Sequence, residues 1–346
     1  LPVIDVRGAT VMPGMVIADT TLAGRHAGDE SVSGLYHAID AFNRFGDYRP
    51  LLAEGITTVH MNPGDHRLVS GAGAVVRLSG YWNDRVLNAA SDVTVNLGNA
   101  ARNPPNLLDP LSQPSADNLI VPAQPQRPSS RMEEWPALRA ALEESTDADA
   151  SAHLIALRRL WDANLPMRVQ ADDAIDARKA VEMFDLAGRE GYVVGSFDLD
   201  TSASMLAASG TPGVFGLSTP VRNAARDLGD NERLSDPNLS ALALFDAEAV
   251  AFTLARGLPL SDLRLAAATA LREGLSRDFV LSALTSNPAK ILGVADRVGS
   301  LAPGRLADFV VYSDDPLNPT EGIYLITTAE PSYDFLGGNF FSSFDA

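Results

Sequence analysis

Three aspartates and one histidine lie where predicted β-strands end, the position from which α/β proteins present groups to a ligand. Asp19, Asp172 and Asp198 come at or just after the end of a predicted strand, and His60 ends another. Carboxylate oxygens are the ligands that Mg²⁺, Mn²⁺ and Ca²⁺ prefer, so the three aspartates are candidates for a hard-cation site. Aspartate at such a position more often caps the following helix. His60 is a candidate binding residue at the same mouth, although a structural role is commoner for a lone histidine.

No other motif in the chain carries a catalytic signature. The segment SGAGAVV, 70–76, has two glycines but lacks the third glycine of a dinucleotide-binding fingerprint. The nucleophile elbow Gly-x-Ser-x-Gly is absent, and so are His-x-His, His-x3-His and His-x-x-Glu-His. Because the chain has no cysteine, disulfides, thiolate nucleophiles and zinc fingers are excluded.

The composition is that of an acidic protein with a sizeable core. The chain has 346 residues, 46% of them hydrophobic, and a formal net charge of -17 at pH 7. An acidic surface repels phosphate backbones, so we expect no nucleic-acid partner. No apolar run is long enough to span a bilayer, so we expect no membrane span. The chain begins at Leu1 rather than Met, which indicates a missing leading segment and leaves the bacterial cytoplasm and periplasm both open.

Short β-branched runs alternate with helical patterns along the chain, which predicts βα units around a parallel sheet. The predicted strands are 15–18, 56–61, 74–78, 93–97, 167–170, 192–194, 214–217 and 249–254. The predicted helices include 133–142, 153–163, 173–189, 260–273 and 277–284. Eight strands with intervening helices are typical of a barrel.

Two segments stand apart from this alternation. Residues 103–130 are rich in Pro, Asn, Gln and Ser, which predicts a long irregular excursion. Near the C-terminus, TSNPAKILG predicts a helix in which Ser286 or Asn287 caps the start, Pro288 takes the first helical position and Gly293 ends the last turn. The following DRVGSLAPGRLADFVVY predicts a turn and then a strand outside the barrel.

This C-terminal run resembles the closing signature of the amidohydrolase superfamily, especially its imidazolonepropionase-like branch. In that signature a helix with Asn-Pro-Ala and a terminal Gly precedes a strand that reads Gly-Ser-x-x-Pro-Gly-Arg/Lys-x-Ala-Asp. The matching residues are Asn287, Pro288, Ala289, Gly293, Gly299, Ser300, Pro303, Gly304, Ala307 and Asp308. The front of the chain, VIDVRGATVMPGMVIADTTL, resembles the family's entry into its first barrel strand. EGITTVHMNPGDHRLVSGAGAVVRL is similar to its second strand and the following loop.

The resemblance implies a distorted (β/α)8 TIM-type barrel with a small β-sandwich formed by residues near both termini. The implied units are an entry from the sandwich at 1–12, the barrel at 13–296 with the excursion 103–130 inside it, and a C-terminal sandwich segment at 297–346. The implied chemistry is metal-assisted hydrolysis, in which a divalent ion at the barrel mouth lowers the pKa of a bound water.

The metal-ligand positions that the resemblance implies carry unsuitable residues. They fall on Asp19, Thr21, Gln170, Ser196 and Ala255. Hydroxyl and amide oxygens are weak ligands for a borderline metal such as zinc, and alanine offers no ligand at all. We therefore expect a vestigial site that holds no metal and no other cofactor.

The interpretation we favour is a non-catalytic subunit or domain that pairs with an active metal-dependent amidohydrolase and stabilises it, as a homo- or hetero-oligomer. One alternative is an active hydrolase of C–N bonds that uses Zn, Mn or Mg at a non-standard site, or a water activated by Asp19, Asp172 or Asp198. Another alternative is a protein that binds a small ligand in the emptied barrel mouth. The fold does not distinguish these alternatives, because function depends on the site.

Overall fold

The computed structural model describes residues 6, 8–24, 30–80, 84–102, 127–195, 199–217, 239–255 and 258–328. Within these residues the chain forms one sheet of eight strands and one of three. Most of the predicted excursion lies outside the described residues. The same is true of Ser196 and Asp198.

All eight predicted strands are present, and they form the larger sheet in chain order. After β1 (Thr10–Pro13), which belongs to the smaller sheet, its strands are β2 (Met15–Thr20), β3 (Ile56–Met61), β4 (Val69–Arg77), β5 (Val86–Asn96), β6 (Met167–Gln170), β7 (Gly191–Gly195), β8 (Gly213–Leu217) and β9 (Val250–Leu254). Neighbouring strands are parallel except that β4 runs antiparallel to both β3 and β5. The β3–β4–β5 meander makes the sheet mixed, whereas the alternation predicted a parallel one.

The larger sheet curls into a nearly closed barrel. β9 lies against β2, and across this seam the Thr253 hydroxyl donates to the Asp19 backbone oxygen at 2.6 Å. Successive side chains of a strand point to opposite faces. Met167 and Val169 pack in the core outside the barrel, so Arg168 and Gln170 between and beyond them face the interior.

The helices of the described residues include all those that the sequence predicts, and three in addition. They are α1 (Arg49–Leu52), α2 (Asn99–Arg102), α3 (Glu134–Glu144), α4 (Ala152–Asp162), α5 (Ala174–Ala187), α6 (Leu199–Ser209), α7 (Leu263–Arg272), α8 (Arg277–Leu284) and α9 (Ser286–Ile291). The additional helices are α1, α2 and α6. Short 3₁₀ helices cover Ala38–Ala41, Leu239–Leu244, Ala247–Ala249 and Leu260–Asp262. In α5, the Asp173 side chain accepts from two backbone N–H groups at the start, and Gly188 ends the helix in the left-handed conformation.

Apolar side chains fill the barrel interior near the amino ends of its strands. The inward-facing residues are Val16, Val75, Tyr192, Val214 and Ala251, and they pack in one cluster with Ala289 and Leu292 at the end of the chain's last described helix. This end of the barrel is closed by apolar packing.

The smaller sheet joins the two ends of the chain. β1 pairs with β10 (Asp308–Tyr312), which pairs with β11 (Ile323–Thr328), and both pairings are antiparallel. Arg77 on β4 donates to both oxygens of Asp308, with Nε at 2.9 Å from Oδ2, and this buried ion pair fastens the sheet to the barrel. Within the described residues the sheet is a single layer, so the second layer of the expected β-sandwich stays a prediction.

The predicted end of the C-terminal helix at Gly293 is confirmed, since Gly293 follows the helix in the left-handed conformation, but the predicted start was wrong. α9 begins at Ser286, and Thr285 occupies the N-cap position without a side-chain hydrogen bond. Asn287 lies inside the helix, where its amide donates to the backbone oxygens of Ala247 at 2.6 Å and Val250 at 2.8 Å. Asn287 is therefore an anchor for the start of β9, which sequence alone does not reveal. No helix in the described ranges is long and apolar enough to cross a membrane.

Candidate functional site at the centre of the barrel

A set of buried charged side chains crosses the interior of the barrel. The set consists of Asp19 on β2, His60 on β3, Asp92 on β5 and Arg168 on β6, and we call it the cross-barrel network. In the ring of eight strands β2 is the first and β6 the fifth, so Asp19 and Arg168 approach each other from opposite sides. A register irregularity at the end of the β2–β3 pairing accompanies the inward turn of Asp19.

Arg168 provides the link across the barrel. Its Nε donates to Asp19 Oδ1 at 2.8 Å, and its Nη2 lies 2.7 Å from the same oxygen. The Nη2 group also donates to Gln170 Oε1 at 3.0 Å. The Arg168 side chain is 1% exposed and that of Asp19 is 14% exposed, so the pair is shielded from bulk water.

Asp19 has two further partners. Asn62, just beyond β3, donates from Nδ2 to Asp19 Oδ1 at 2.9 Å. His60 Nδ1 lies 3.6 Å from the same oxygen, which is an ion-pair distance and too long for a hydrogen bond. One carboxylate oxygen of β2 is therefore surrounded by groups from β3 and β6.

His60 forms its hydrogen bond through the other imidazole nitrogen, Nε2, and its partner is Asp92. The distance between His60 Nε2 and Asp92 Oδ2 is 2.7 Å, and both side chains are fully buried. Asp92 also accepts from Ser91 Oγ at 2.6 Å, from Thr94 Oγ1 at 3.0 Å and from Tyr192 Oη at 3.3 Å. Asp92 is thus a buried carboxylate with four donors, a well-satisfied arrangement.

Gly73 on β4 leaves the space that the histidine–aspartate pair occupies. A Cβ atom at this position would lie 2.4 Å from His60 Nε2 and 2.5 Å from Asp92 Oδ2. Both distances are far below van der Waals contact, so any side chain at residue 73 would displace the pair. Gly73, the second glycine of SGAGAVV, is therefore required by close packing.

The charges of the network keep one another ionised. Burial alone would raise the pKa of Asp19, but Arg168 and His60 outweigh burial and hold that pKa well below its usual range. Burial likewise opposes the charge of His60, yet the Asp92 and Asp19 carboxylates raise the His60 pKa to about 9. The pKa of Asp92 is lowered because His60 outweighs its burial. At pH 7 the network contains two cations and two anions and has no net charge.

The predicted ligand positions are in different surroundings. Asp19 and Gln170 both accept hydrogen bonds from Arg168, which lies between them, and Gln170 is buried. Thr21 lies beyond the end of β2 and is exposed. Ala255 follows β9 and has no polar side-chain atom; its backbone N–H donates to Leu217 O at 2.8 Å, and its backbone oxygen accepts from Leu258 at 3.2 Å. Of these positions, the structure brings together only Asp19 and Gln170, while Ser196 lies outside the described residues.

Asp172 belongs to another part of the mouth. Its Oδ2 accepts from the backbone N–H of Asn99 at 2.7 Å, so it joins the loop after β6 to the start of α2. The structure thus separates Asp172 from Asp19, which lies in the cross-barrel network. Asp198, the third member of the expected hard-cation site, lies outside the described residues.

A second ionic cluster lies near Asp172, at the starts of α3 and α5. We call it the loop-base cluster, and its members are Arg102, Arg131, Glu134, Asp173 and Asp176. Arg102 donates to Glu134 Oε1 and to Asp176 Oδ1, both at 3.0 Å. Arg131 donates to Asp176 Oδ1 at 2.7 Å and also pairs with Asp173. Arg102 precedes and Arg131 follows an undescribed segment, so the cluster joins the two flanks of that segment.

The described residues do not fit a divalent ion at the predicted positions. Asp19 Oδ1 already accepts from Asn62 and Arg168, and Gln170 Oε1 accepts from Arg168. Within the described ranges, no group of three or more His, Cys, Asp or Glu side chains is arranged to hold a metal. The Arg168 guanidinium between the two positions would repel another cation. The arrangement can hold strands together by charge, but it does not present a set of metal ligands.

Sequence analysis identified Asp19, Gln170 and His60 but missed Arg168 and Asp92. Both missed residues lie inside strands whose other face is apolar. Arg168 is the second residue of MRVQ, and Asp92 is the second residue of SDVTV. A charged residue between the apolar residues of a buried strand was the available signal, because such a charge needs a partner in the interior.

The chain was compared with known families and structures. Residues 251–324 match the model of the amidohydrolase family. An amidohydrolase from Thermotoga maritima MSB8 is similar with a TM-score of 0.70 at 21% identity, over 94% of this chain and 87% of that chain. No curated protein matches the chain.

Two further solved structures are similar. A Xaa-Pro dipeptidase with methionine bound in its active site has a TM-score of 0.56 at 15% identity, over 94% of this chain and 87% of that chain. A prolidase in complex with N-methylphosphonate-L-proline has a TM-score of 0.52 at 17% identity, over 96% of this chain and 88% of that chain. At these identities the likeness shows the fold. Together with the family match it supports the amidohydrolase superfamily.

Proposed function

We propose that this amidohydrolase-like chain is a non-catalytic barrel that pairs with an active metal-dependent amidohydrolase and stabilises it. One observation carries the proposal: Arg168 binds Asp19 and Gln170, the two vestigial ligand positions that meet inside the barrel. Asp19 Oδ1 and Gln170 Oε1 already accept from this guanidinium, whose charge disfavours a metal ion beside them. We place the chain in the imidazolonepropionase-like branch on the strength of its C-terminal signature.

The preserved scaffold supports a role for the surface of the barrel. The strands retain a continuous buried core, and the two ends of the chain retain their shared sheet. A fold kept without its catalytic ligands is consistent with selection for an interface. A homologous barrel with a complete ligand set is the simplest partner. Two similar barrels can pair through the same interface that a homodimer of either barrel would use.

The partner and the metal can be measured in one experiment. The protein is purified under mild conditions from its natural source, and the assembly is analysed by native mass spectrometry together with elemental analysis. We expect this chain without stoichiometric metal, in complex with a homologue that contains His-x-His after its first strand. Stoichiometric Zn, Mn or Fe bound to this chain would overturn the proposal.

A gain-of-function test addresses the ligand positions directly. The double variant Asp19→His, Thr21→His restores two imidazoles, but Gln170 and Ala255 still lack the remaining donors. We therefore expect no hydrolysis of amide or cyclic-amide substrates by this variant in buffers containing Zn²⁺ or Mn²⁺. Recovered hydrolysis would show that the assigned ligand positions are wrong.

A further inference from the structure

Arg168 reaches across the barrel to a carboxylate on the opposite strand. We propose that the Arg168 guanidinium is an internal cation that holds the ends of β2 and β6 together, in the place where a divalent ion would be required if these strands carried metal ligands. The inference rests on the proposed function in that both assume a barrel that works without metal.

Charge balance is the first argument. Asp19 and Asp92 are both inside the barrel, and burial of an unpaired carboxylate is strongly unfavourable. Arginine stays protonated at every pH that a protein encounters, so its charge is permanent in the way that a metal ion's charge is. Among the described residues, loss of this cation would leave His60 as the one cation paired with the two carboxylates.

Geometry is the second argument. A planar guanidinium directs several N–H groups at once. Here Nε and Nη2 both point to Asp19 Oδ1, and Nη2 also reaches Gln170 Oε1. One side chain therefore binds its own strand and the strand opposite, which is the bridging role that a coordinated ion performs. A hydrogen bond within a single strand could not do this.

Cation rescue of a truncated variant tests the inference. Arg168→Ala removes the guanidinium and leaves a gap beside the two carboxylates. The melting temperature of this variant is measured with ethylguanidinium chloride, MnCl₂ or ZnCl₂, each against NaCl at equal ionic strength. We expect ethylguanidinium or a divalent ion to raise the melting temperature by at least about 2 °C, because a ligand bound only to the folded state stabilises it.

Arg189→Ala is the matched control. Arg189 stacks on Trp161 and donates to the backbone oxygens of Leu165 and Trp161, and no carboxylate makes an ion pair with it among the described residues. Its truncation removes a partly buried arginine, and the nearby Asp162 keeps its ion pair with Arg158. We expect no cation-specific shift in this control or in the wild-type protein. Equal shifts in all three proteins, or no shift in Arg168→Ala, would overturn the inference.

A second pair of variants decides the matter if Arg168→Ala does not fold. Arg168→Lys keeps a positive charge on a long side chain, whereas Arg168→Met keeps the length and loses the charge. We expect the lysine variant to be soluble and to melt several degrees above the methionine variant. A methionine variant as stable as the lysine variant, or a lysine variant that fails to fold where Arg189→Ala folds, would show that the charge is not what matters.

The two proposals fail in different ways. Metal content and partner of the wild-type protein test the proposed function, whereas the cation response of the variants tests the internal cation. A wild-type chain with a catalytic partner and unresponsive variants would overturn only the inference. A metal-loaded wild-type chain would overturn the proposed function whatever the variants do.

Discussion

The cross-barrel network and the loop-base cluster are both sets of carboxylates and guanidinium groups, yet they differ in exposure and in how completely their carboxylates are hydrogen-bonded. The first pairs two carboxylates with Arg168 and a protonated His60 inside the barrel. The second sets three carboxylates against two arginines at the mouth, where the Arg131 side chain is 34% exposed. A buried carboxylate with several donors stays ionised, whereas one whose second oxygen has no donor is more readily protonated, even beside cations such as Arg102 and Lys179.

Glu134 is that carboxylate in the loop-base cluster. Only its Oε1 is bonded, to Arg102, while Oε2 is buried and has no hydrogen-bond partner in the described part of the chain. Burial raises the pKa of Glu134 to about 7 despite Arg102, and the nearby charge of Asp176 adds to the effect. The comparison indicates that the carboxylates at the centre of the barrel stay ionised at neutral pH, whereas Glu134 at the mouth titrates near pH 7.

The largest expected effect is at the centre. Asp92→Ala removes a fully buried acceptor and leaves His60, Thr94 and Tyr192 without their carboxylate. Breaking a buried ion pair on one side costs about 3–5 kcal/mol of unfolding free energy, and we expect the upper end of that range. Urea unfolding at pH 7 measures the loss.

Asp185→Ala is the control for this prediction, because Asp185 is an exposed aspartate on α5. Its substitution should change the unfolding free energy by no more than about 0.5 kcal/mol. An Asp92→Ala protein as stable as this control would mean that the network contributes nothing to the fold.

A smaller loss is expected at the mouth. Arg102→Ala removes the guanidinium that binds Glu134 and Asp176, but Arg131 still neutralises Asp176. Glu134 can also take up a proton, which limits the cost. We expect a loss of about 3 kcal/mol, the lower end of the range for a broken buried pair, in the same urea experiment. A loss larger than that of Asp92→Ala would reverse the comparison.

The two regions should also differ in pH dependence. The folded-state pKa of Glu134 is raised to about 7, above its unfolded value of 4.5, so its contribution is complete below 4.5 and is lost as pH rises toward 7. Glu134→Gln should remove this pH-dependent fall in unfolding free energy, which amounts to up to about 3 kcal/mol. Unfolding free energy measured from pH 4.5 to pH 9 tests this.

His60 gives the Glu134→Gln protein its own internal reference. The raised pKa of His60, about 9 against 6.5, makes its contribution complete below 6.5 and lost as pH rises through 9. The unfolding free energy of the wild type should fall in two pH ranges, one set by Glu134 and one by His60. The variant should lose only the fall at lower pH, which Glu134 causes. Unchanged curves for variant and wild type would mean that Glu134 is ionised throughout.

The sequence predicts the elements of this fold better than their connections across space. The eight strands are visible because buried strands give short, continuous β-branched runs such as ITTVHM and GYVVG. The antiparallel direction of β4 is not visible, because strand composition does not depend on direction. Nor does the sequence show that Gly73 is required by close packing and not by a turn.

The site was predictable only in part. Resemblance marks Asp19 and Gln170 as ligand positions, but the partner of Asp19 is 149 residues away in the chain. Nothing local in RVQAD indicates that Arg168 faces a carboxylate across the barrel. The loop-base cluster is similar, since Arg102 and Asp176 are 74 residues apart and belong to different helices. Long-range ion pairs need the fold before they can be assigned.

The smallest effect separates the two arginines of the loop-base cluster. Arg131 makes as many ion pairs as Arg102, but its side chain is 34% exposed and one of its partners, Asp173, is 44% exposed. Solvent screens such pairs, so Arg131→Ala should lower the unfolding free energy by no more than about 1 kcal/mol. Salt at high concentration should reduce this difference and leave the Arg102→Ala difference nearly unchanged, because screening acts on exposed charges. A loss as large as that of Arg102→Ala would mean that burial does not set the strength of this cluster.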